Sequence, residues 1–267
     1  MQQAAKAAKA RLSSVANSIR LLTSFSGDED EIAITTLAQR LGLAKSTVHR
    51  LASTLTASGF LEQNRDTGRY RLGVALFELG ALVRRRMDVA NEARPHLREL
   101  LEKTGETVQL GIVDHYSVLY VYEMESRRAI RMAAAVGARA PLHCTAVGKV
   151  LLAFQPADYI RETLERGLTA FTDNTIVRRE AVLELLDEVR SRDYAVDDEE
   201  SEIGLRAIAA PVRNQNGLVI AALGVAAPVQ RMNKKGMQTT VPSVIAIAQA
   251  VSSRLGYQPA RRKAFHE

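Results

Sequence analysis

Five polar residues lie close together near residue 47 and have side chains suited to contacts with DNA: Lys45, Ser46, Thr47, His49 and Arg50. Lysine and arginine can donate hydrogen bonds to O6 and N7 of guanine, and serine and threonine hydroxyls can reach a phosphate or a base edge. The histidine could contact a base or cap a neighbouring carbonyl group. The same residues could also form the solvated face of an ordinary amphipathic helix, so their role depends on the elements that hold them.

The apolar residues around this group predict two short helices joined by a tight turn. The first helix ends at Gly42, because glycine reaches positive φ at little cost. Thr35 or Thr36 is predicted to cap its start, where a hydroxyl accepts a hydrogen bond from an unpaired amide, and the first-turn amides could bind a phosphate. The second helix begins near Lys45, and its apolar residues follow the spacing i, i+3, i+4 and i+7: Val48, Leu51, Ala52 and Leu55. Two such helices predict a helix-turn-helix, in which the start of the second helix enters the major groove.

A two-stranded hairpin is predicted directly after these helices. Residues 60–62 and 69–73 are strand-like, and residues 64–68 have the composition of a turn. A hairpin in this place makes the module a winged helix. Its arginines are placed to meet phosphates or a minor groove: Arg65, Arg69 and Arg71.

The charge of the chain supports this prediction without deciding it. Residues 1–90 carry 13 Lys and Arg against 8 Asp and Glu, a net charge of +5, whereas the rest carries 23 against 22. A phosphate-binding module requires such a positive excess. A basic tail alone would give the same asymmetry.

The composition is that of a soluble globular protein. The chain has 267 residues, 46% of them apolar and 25% charged. Its single cysteine excludes an internal disulfide and a cysteine-rich zinc site. The first residues have no signal-peptide pattern, and no apolar run approaches the roughly 20 residues that span a bilayer. We therefore expect a cytoplasmic protein without membrane contact.

Beyond residue 90 the pattern predicts a sheet with helices packed on it, an α+β domain. A helix over 74–87 would connect it to the winged helix and could pack against a partner subunit. The remaining predicted helices are 14–25, 90–104, 145–154, 157–166, 178–192 and 239–256. The predicted strands are 107–113, 117–123, 129–133, 204–212 and 218–226.

The strongest candidate for a ligand site is the segment of small residues over 141–149. Small residues at a helix start leave backbone amides accessible, which suits a carboxylate. The candidate contacts are Thr145, Ala146 and Val147. Ordinary capping by Thr145 and close packing of Ala146 and Gly148 against the sheet would explain the same residues.

Enzyme chemistry is not indicated by the sequence. Gly148-Lys149 occurs without the other residues of a phosphate-binding P-loop, since position 143 is His and position 150 is Val. Cys144 beside His143 could suggest a nucleophilic thiol, but adjacent residues point apart and no orienting partner is evident. We predict no catalytic residue, no metal site and no cofactor.

Several long strings in the chain resemble the IclR family of bacterial transcription regulators, over about residues 14–256. In the first part these are SIRLLTSF, ITTLAQRLGLAKSTVHRLASTL, SGFLEQ and DTGRYRLG. In the second part they are PLHCTAVGKVLLA, RDYAVDDEE and GLRAIAAPV. The resemblance implies a winged helix-turn-helix, a linker helix and an effector domain similar to the GAF fold. It also implies dimers or tetramers on palindromic operators, and a small metabolite, commonly an organic or aromatic acid, that alters DNA binding or promoter activity.

The resemblance also implies further residues of the ligand pocket. In the family pattern the first acidic residue of the 197–200 string faces the pocket, and here it is Asp197; the other three carboxylates are expected in a solvated turn. The other lining residues carried over by motif are Ala129, Ala140, Leu205, Ala207, Gly224 and Ala226. Some members have serine at the last two positions and cysteine at position 207. We therefore expect a more apolar pocket that suits a bulkier or aromatic acid better than one of glyoxylate or pyruvate size.

These observations predict an α+β chain with an N-terminal winged helix-turn-helix and a GAF-like α/β effector domain. The predicted segments are a flexible tail (1–12), the DNA-binding domain (13–74), a linker helix (75–89), the effector domain (90–257) and a second tail (258–267). The expected function is ligand-responsive transcription regulation by a homodimer or homotetramer, with repression favoured because blocking a promoter needs only occupancy. The alternative is a small-molecule-binding or hydrolytic protein whose winged helix makes protein contacts only.

Overall fold

A computed structural model describes residues 14–25, 29–85, 88–129 and 136–258. The chain divides into two compact units, Met1–Arg86 and Met87–Glu267. No helix in these described ranges is both long enough and apolar enough to cross a bilayer.

The first unit is a winged helix. Its elements are a helix over 14–22 (α1), α2 (Ile34–Leu41), α3 (Lys45–Ala57), the antiparallel strands β1 (Leu61–Gln63) and β2 (Tyr70–Leu72), and α4 (Val74–Arg85). Their buried side chains form one core: Leu21, Ile32, Leu37, Ala38, Leu41, Val48, Leu51, Ala52, Leu61 and Tyr70. Gly42 ends α2 with a φ of 65°, as predicted. Residues 86 and 87, where the predicted linker helix continues, lie outside the described ranges.

The predicted capping of α2 by a threonine is wrong. The helix begins at Ile34, and the capping position is Ala33, which has no side-chain acceptor. Ile32 exchanges two backbone hydrogen bonds with Tyr70, of 2.8 and 2.9 Å. This bridge to β2 fixes the chain immediately before the helix, so Thr35 and Thr36 fall within its first turn.

The second unit is a six-stranded antiparallel sheet between two layers of helices. The strand order is β5-β4-β3-β8-β7-β6. The strands are β3 (Thr107–Asp114), β4 (Ser117–Met124), β5 (Arg139–Ala140), β6 (Ala195–Asp198), β7 (Leu205–Arg213) and β8 (Val219–Pro228). The helices are α5 (Asp88–Thr104), α6 (Ala146–Ala153), α7 (Ala157–Glu165), α8 (Arg179–Arg192) and α9 (Lys234–Arg254).

The two faces of the sheet belong to two separate cores. Residues of α5 and α9 share one core with Val108, Leu110 and Ile208. Residues of α6, α7 and α8 share the other with Tyr120 and Ala209. Successive residues of a strand point to opposite faces, so Ile208 and Ala209 serve different cores. The α+β fold class is confirmed.

Several elements of this unit differ from the prediction. Strands β5 and β6 are not among the predicted strands. The final helix begins at Lys234 rather than at residue 239, because the Asn233 side chain accepts a hydrogen bond from the Gly236 amide at 3.0 Å. Ala129 lies in an exposed bend rather than in a strand, and residues 130–133 of that predicted strand lie outside the described ranges.

Candidate functional site

The face of α3 predicted to contact DNA is open to solvent. Lys45, Ser46, His49 and Arg50 are exposed and Thr47 is half-buried. The opposite face carries the buried apolar residues of the helix, which fix its orientation on the core. Within the described part of the chain, neither Lys45 nor Arg50 forms an ion pair, so both cations are available for a partner.

The wing turn is held by Asn64 and Glu31. The Asn64 side chain accepts hydrogen bonds from the amides of Asp66 and Thr67, at 2.9 and 3.2 Å. Its Nδ2 group donates to Glu31 at 2.8 Å, and the Thr67 hydroxyl donates to the other oxygen of Glu31 at 3.1 Å. These hydrogen bonds lower the pKa of Glu31. The turn therefore has a defined shape at the end of the hairpin.

The three wing arginines are not equivalent. Arg65 and Arg69 are exposed and have no ion pair with a described residue. Arg71 lies opposite Glu62 in the strand pairing, and its guanidinium lies 2.8 Å from that carboxylate. Part of the hydrogen-bonding capacity of Arg71 is thus used within the hairpin.

A cavity of about 380 Å³ lies between α6 and the sheet in the second unit. Nine of the predicted effector residues line it: Ala140, Thr145, Ala146, Val147, Asp197, Leu205, Ala207, Gly224 and Ala226. The tenth, Ala129, does not line this cavity and lies in the exposed bend beyond β4. The prediction failed there because β4 ends at Met124, before the chain reaches that position.

Small residues form the sheet side of the cavity. Ala207 is paired with Asp197 on one side and with Ala226 on the other. Gly224 lies beneath Val147, and a Cβ atom at Gly224 would lie 3.0 Å from a methyl group of Val147. The glycine therefore permits the close approach of α6, while the alanines leave space beside it.

The start of α6 is capped and also lines the cavity. The Thr145 hydroxyl accepts a hydrogen bond from the Gly148 amide at 3.0 Å and donates to the Pro141 carbonyl at 2.8 Å. A Cβ atom at Gly148 would lie 2.5 Å from that carbonyl oxygen, so the loop can close only over a glycine. First-turn amides have no acceptor within their own helix, which leaves those of Ala146 and Val147 as donors at the cavity wall.

Asp197 is the buried carboxylate of the cavity, with 1% of its surface exposed. One oxygen accepts hydrogen bonds from the amides of Glu200 and Ser201, at 2.9 and 3.3 Å, and the other accepts from the Ser201 hydroxyl. Burial raises the pKa of Asp197, although these hydrogen bonds and the charge of Lys149 oppose the increase. The cavity thus combines helix amides that suit an anion with a carboxylate that can accept a hydroxyl.

Two family models match the sequence of the chain. The first, described as the IclR helix-turn-helix domain, matches residues 14–65. The second, described as the bacterial transcriptional regulator IclR C-terminal domain, matches residues 81–253, more than half of the chain. The chain belongs to the IclR family.

Similar proteins of this family are transcriptional regulators. The chain is 39% identical over 232 residues to the HTH-type transcriptional regulator KdgR of Escherichia coli K12, covering 86% of this chain and 88% of that protein. It is 36% identical over 247 residues to XynR of the same organism, covering 92% and 98%. An IclR homologue from Microbacterium hydrocarbonoxydans, solved in complex with 4-hydroxybenzoate, superposes with a TM-score of 0.83 at 28% identity over 91% of this chain and 98% of that one.

In this IclR-family chain one carboxylate of the acidic string is placed differently from the prediction. Glu200 is buried and forms an ion pair with Lys149 of α6, rather than lying in a solvated turn. Glu199 has a φ of 59°, a left-handed conformation that redirects the chain. Thr175 donates a hydrogen bond to the Glu200 carbonyl at 2.6 Å, and Thr172 donates to the Glu199 carbonyl at 2.6 Å. The turn is therefore fixed to α6 on one side and to the 172–175 loop on the other.

Sequence reasoning missed several polar residues of the cavity wall. Gln109 and Tyr120 line the cavity from β3 and β4, Arg139 lines it from β5, and Ser201 lines it from the turn after β6. A sequence signal existed for Gln109, because it is a polar residue between Val108 and Leu110 in an otherwise apolar strand. Tyr120 gave no such signal, since tyrosine is common in strands.

Proposed function

We propose that this protein binds a specific operator in duplex DNA and that a small carboxylic acid bound in the cavity alters this binding. The observation that best supports this proposal is that one chain combines an exposed helix face carrying Lys45 and Arg50 with a cavity whose wall includes the start of α6. Family membership and the regulators among its relatives support the proposal. The place of action is then the cytoplasm, where the DNA is.

The DNA contacts are proposed to come from three places in the winged helix. The start of α3 supplies the contacts to base edges, through Lys45, Ser46, Thr47, His49 and Arg50. The first turn of α2, at Thr35 and Thr36, offers amides to a phosphate. The wing reaches a phosphate or minor groove with Arg65 and Arg69, and with Arg71 if it leaves Glu62.

The acid is proposed to bind with its carboxylate at the amides of Ala146 and Val147. A helix N-terminus favours a negative charge through its free donors and its dipole. Asp197 then accepts a hydrogen bond from another group of the ligand. The 4-hydroxybenzoate of the Microbacterium homologue is an acid with such a second group.

A homodimer or homotetramer is proposed because the winged-helix unit exposes large apolar side chains. On α4 these include Phe77, which is 70% exposed, with Val74 and Leu82; on α1 they are Val15 and Ile19. Exposed apolar patches of this kind mark protein interfaces. A two-fold dimer presents two recognition helices to a palindromic operator, and occupancy of such a site would repress a promoter.

Operator binding can be tested without knowledge of the regulated genes. Selection of bound duplexes from a random pool is expected to yield a palindromic site, with the logarithm of affinity falling linearly against the logarithm of salt concentration. A carboxylic acid that binds the protein should change the affinity of the protein for that site. Recovery of no preferred sequence, together with salt-independent binding, would contradict the proposal.

Replacing Asp197 with asparagine is expected to weaken binding of the acid roughly 10- to 150-fold, because a hydrogen bond to a charged group contributes about 1.5–3 kcal/mol. The substitution keeps an oxygen for the amides of Glu200 and Ser201. Isothermal titration calorimetry on the full-length protein measures the change. Asp198→Asn is the control, since it removes the same charge from the exposed neighbour; equal affinities in the two variants would remove Asp197 from the proposed site.

A further inference from the structure

Two polar side chains of the cavity wall have no hydrogen-bond partner among the described residues. Gln109 is 7% exposed and Tyr120 is 8% exposed, and both line the cavity. Within the described part of the chain, neither the Gln109 amide nor the Tyr120 hydroxyl forms a hydrogen bond. Most of each side chain is buried, but its polar atoms are not sealed off from solvent. They are therefore open to a partner within the cavity.

The other buried or anchored polar groups of the wall already have protein partners. The Thr145 hydroxyl uses both its donor and its acceptor in capping α6. Both oxygens of Asp197 accept hydrogen bonds, and Ser201 supplies two of the donors. Arg139 donates to Ser117 at 2.6 Å and also pairs with Asp114. Gln109 and Tyr120 differ from these neighbours, because their side chains form no hydrogen bond with any described residue.

The sheet gives both side chains room and fixes their positions. Gln109 is paired with Gly224 on β8, and Tyr120 is paired with Gly111 on β3. The Tyr120 ring packs over Gly111, where a Cβ atom would lie 3.6 Å from a ring carbon. Burial raises the pKa of Tyr120, with the charge of Asp197 adding to this effect. The phenol therefore remains protonated at neutral pH and can donate a hydrogen bond.

We infer that Gln109 and Tyr120 select an effector whose carbon skeleton carries hydroxyl or carbonyl oxygens in addition to its carboxylate. This inference rests on the proposed effector site and makes its ligand class narrower. Gln109 can donate to or accept from such an oxygen, and Tyr120 can do the same. An apolar acid would leave both groups unpaired, and sites built to pair with a ligand hydroxyl reject analogues that lack it. The apolar residues at 207, 224 and 226 therefore do not make the whole cavity apolar.

The test compares acids that differ only in these oxygens. Gluconate is matched with hexanoate, and 4-hydroxybenzoate with benzoate, in calorimetric titrations of the full-length protein. The hydroxylated member of at least one pair is expected to bind at least about tenfold more tightly than its apolar counterpart. Gln109→Leu and Tyr120→Phe should each lower the affinity for that member about tenfold and leave the affinity for the apolar member unchanged.

A buried threonine on the same strand provides the matched control. The Thr107 hydroxyl accepts a hydrogen bond from the Ser126 amide at 3.1 Å, so Thr107→Val should lower the melting temperature without changing the ligand preference. Gln109→Leu should keep the melting temperature of the ligand-free protein, because it removes no hydrogen bond within the protein.

Three results would overturn the inference. Tighter or equal binding of the apolar acids would overturn it while leaving the effector site in place. A preference for hydroxylated acids that survives in both variants would assign the selection to other residues. Binding of none of the four acids would reject the inference and the acid-binding part of the proposed function together, whereas operator binding would be unaffected.

Discussion

Replacing Lys149 with methionine is expected to lower the free energy of unfolding by about 3–5 kcal/mol, the usual effect of breaking a buried ion pair on one side. The side chains of Lys149 and Glu200 are 1% and 8% exposed. Oε2 of Glu200 has no hydrogen-bond partner among the described residues. Removal of the lysine would therefore leave a buried carboxylate without its counter-charge. Urea denaturation at neutral pH measures the loss.

Two further variants separate the ion pair from a general effect of the substitution. Lys149→Met combined with Glu200→Leu should recover most of the lost stability, because apolar residues can replace a buried pair at little net cost. Lys103→Met removes a lysine from an exposed pair with Glu99 and should cost less than about 1 kcal/mol. If Lys149→Met were no more destabilising than Lys103→Met, the pair would not hold the turn to α6.

The loss of stability should also depend on pH. Burial raises the pKa of Glu200 above its usual 4.5, and the charge of Lys149 opposes this increase. Without the lysine the pKa of Glu200 in the folded protein rises further. A group with a raised pKa stabilises the fold fully below the pKa of the unfolded chain, and this contribution is lost as the pH rises through the folded value. The deficit of the variant should therefore grow as the pH rises from the pKa of Glu200 in the folded wild type, which is already above 4.5, towards its higher pKa in the folded variant.

The ion pair also bears on the cavity, because Glu200 belongs to the turn that surrounds Asp197. The Glu200 amide donates to Asp197, and its carbonyl accepts from Thr175. Phe171, at the cavity wall, lies on the same loop as Thr175. Loss of Lys149 should therefore weaken acid binding as well as stability, since the turn and the loop share this anchor.

The sequence pattern predicted those helix starts and ends that are determined by residues close by in the chain. The spacing of Val48, Leu51 and Ala52 predicts α3, and its first residue agrees with the structure. Gly42 ends α2 as expected, because a glycine adopts positive φ at little cost wherever it stands in the chain. The resemblance to the IclR family supplied what periodicity could not, including the expectation that Asp197 faces the cavity.

The errors arose where distant residues decide the outcome. The bridge between Ile32 and Tyr70 sets the start of α2, and no pattern within 32–36 reveals it. The buried position of Glu200 depends on a left-handed conformation at Glu199, and glutamate rarely adopts that conformation. The position of Gln109 in the cavity depends on pairing with Gly224, which is far away in the sequence. Local reasoning cannot identify such partners.

Replacing Arg50 with alanine is expected to weaken operator binding by about 1–3 kcal/mol, roughly 5- to 150-fold, as for a side chain that contacts a guanine with two hydrogen bonds. Arg50 is exposed on α3 and has no ion pair with a described residue. The substitution should therefore change stability by less than about 0.5 kcal/mol. Fluorescence anisotropy with the selected operator and with a scrambled duplex measures both specific and non-specific binding.

The two duplexes distinguish the role of Arg50 from that of charge alone. A base contact lowers affinity for the operator and leaves the scrambled duplex almost unchanged, whereas a phosphate contact lowers both and reduces the salt slope by about one. Arg161→Ala removes the same charge from an exposed site on α7 and should affect neither. If Arg50→Ala bound the operator as tightly as Arg161→Ala, Arg50 would take no part in recognition, and the placement of α3 as the recognition helix would be wrong.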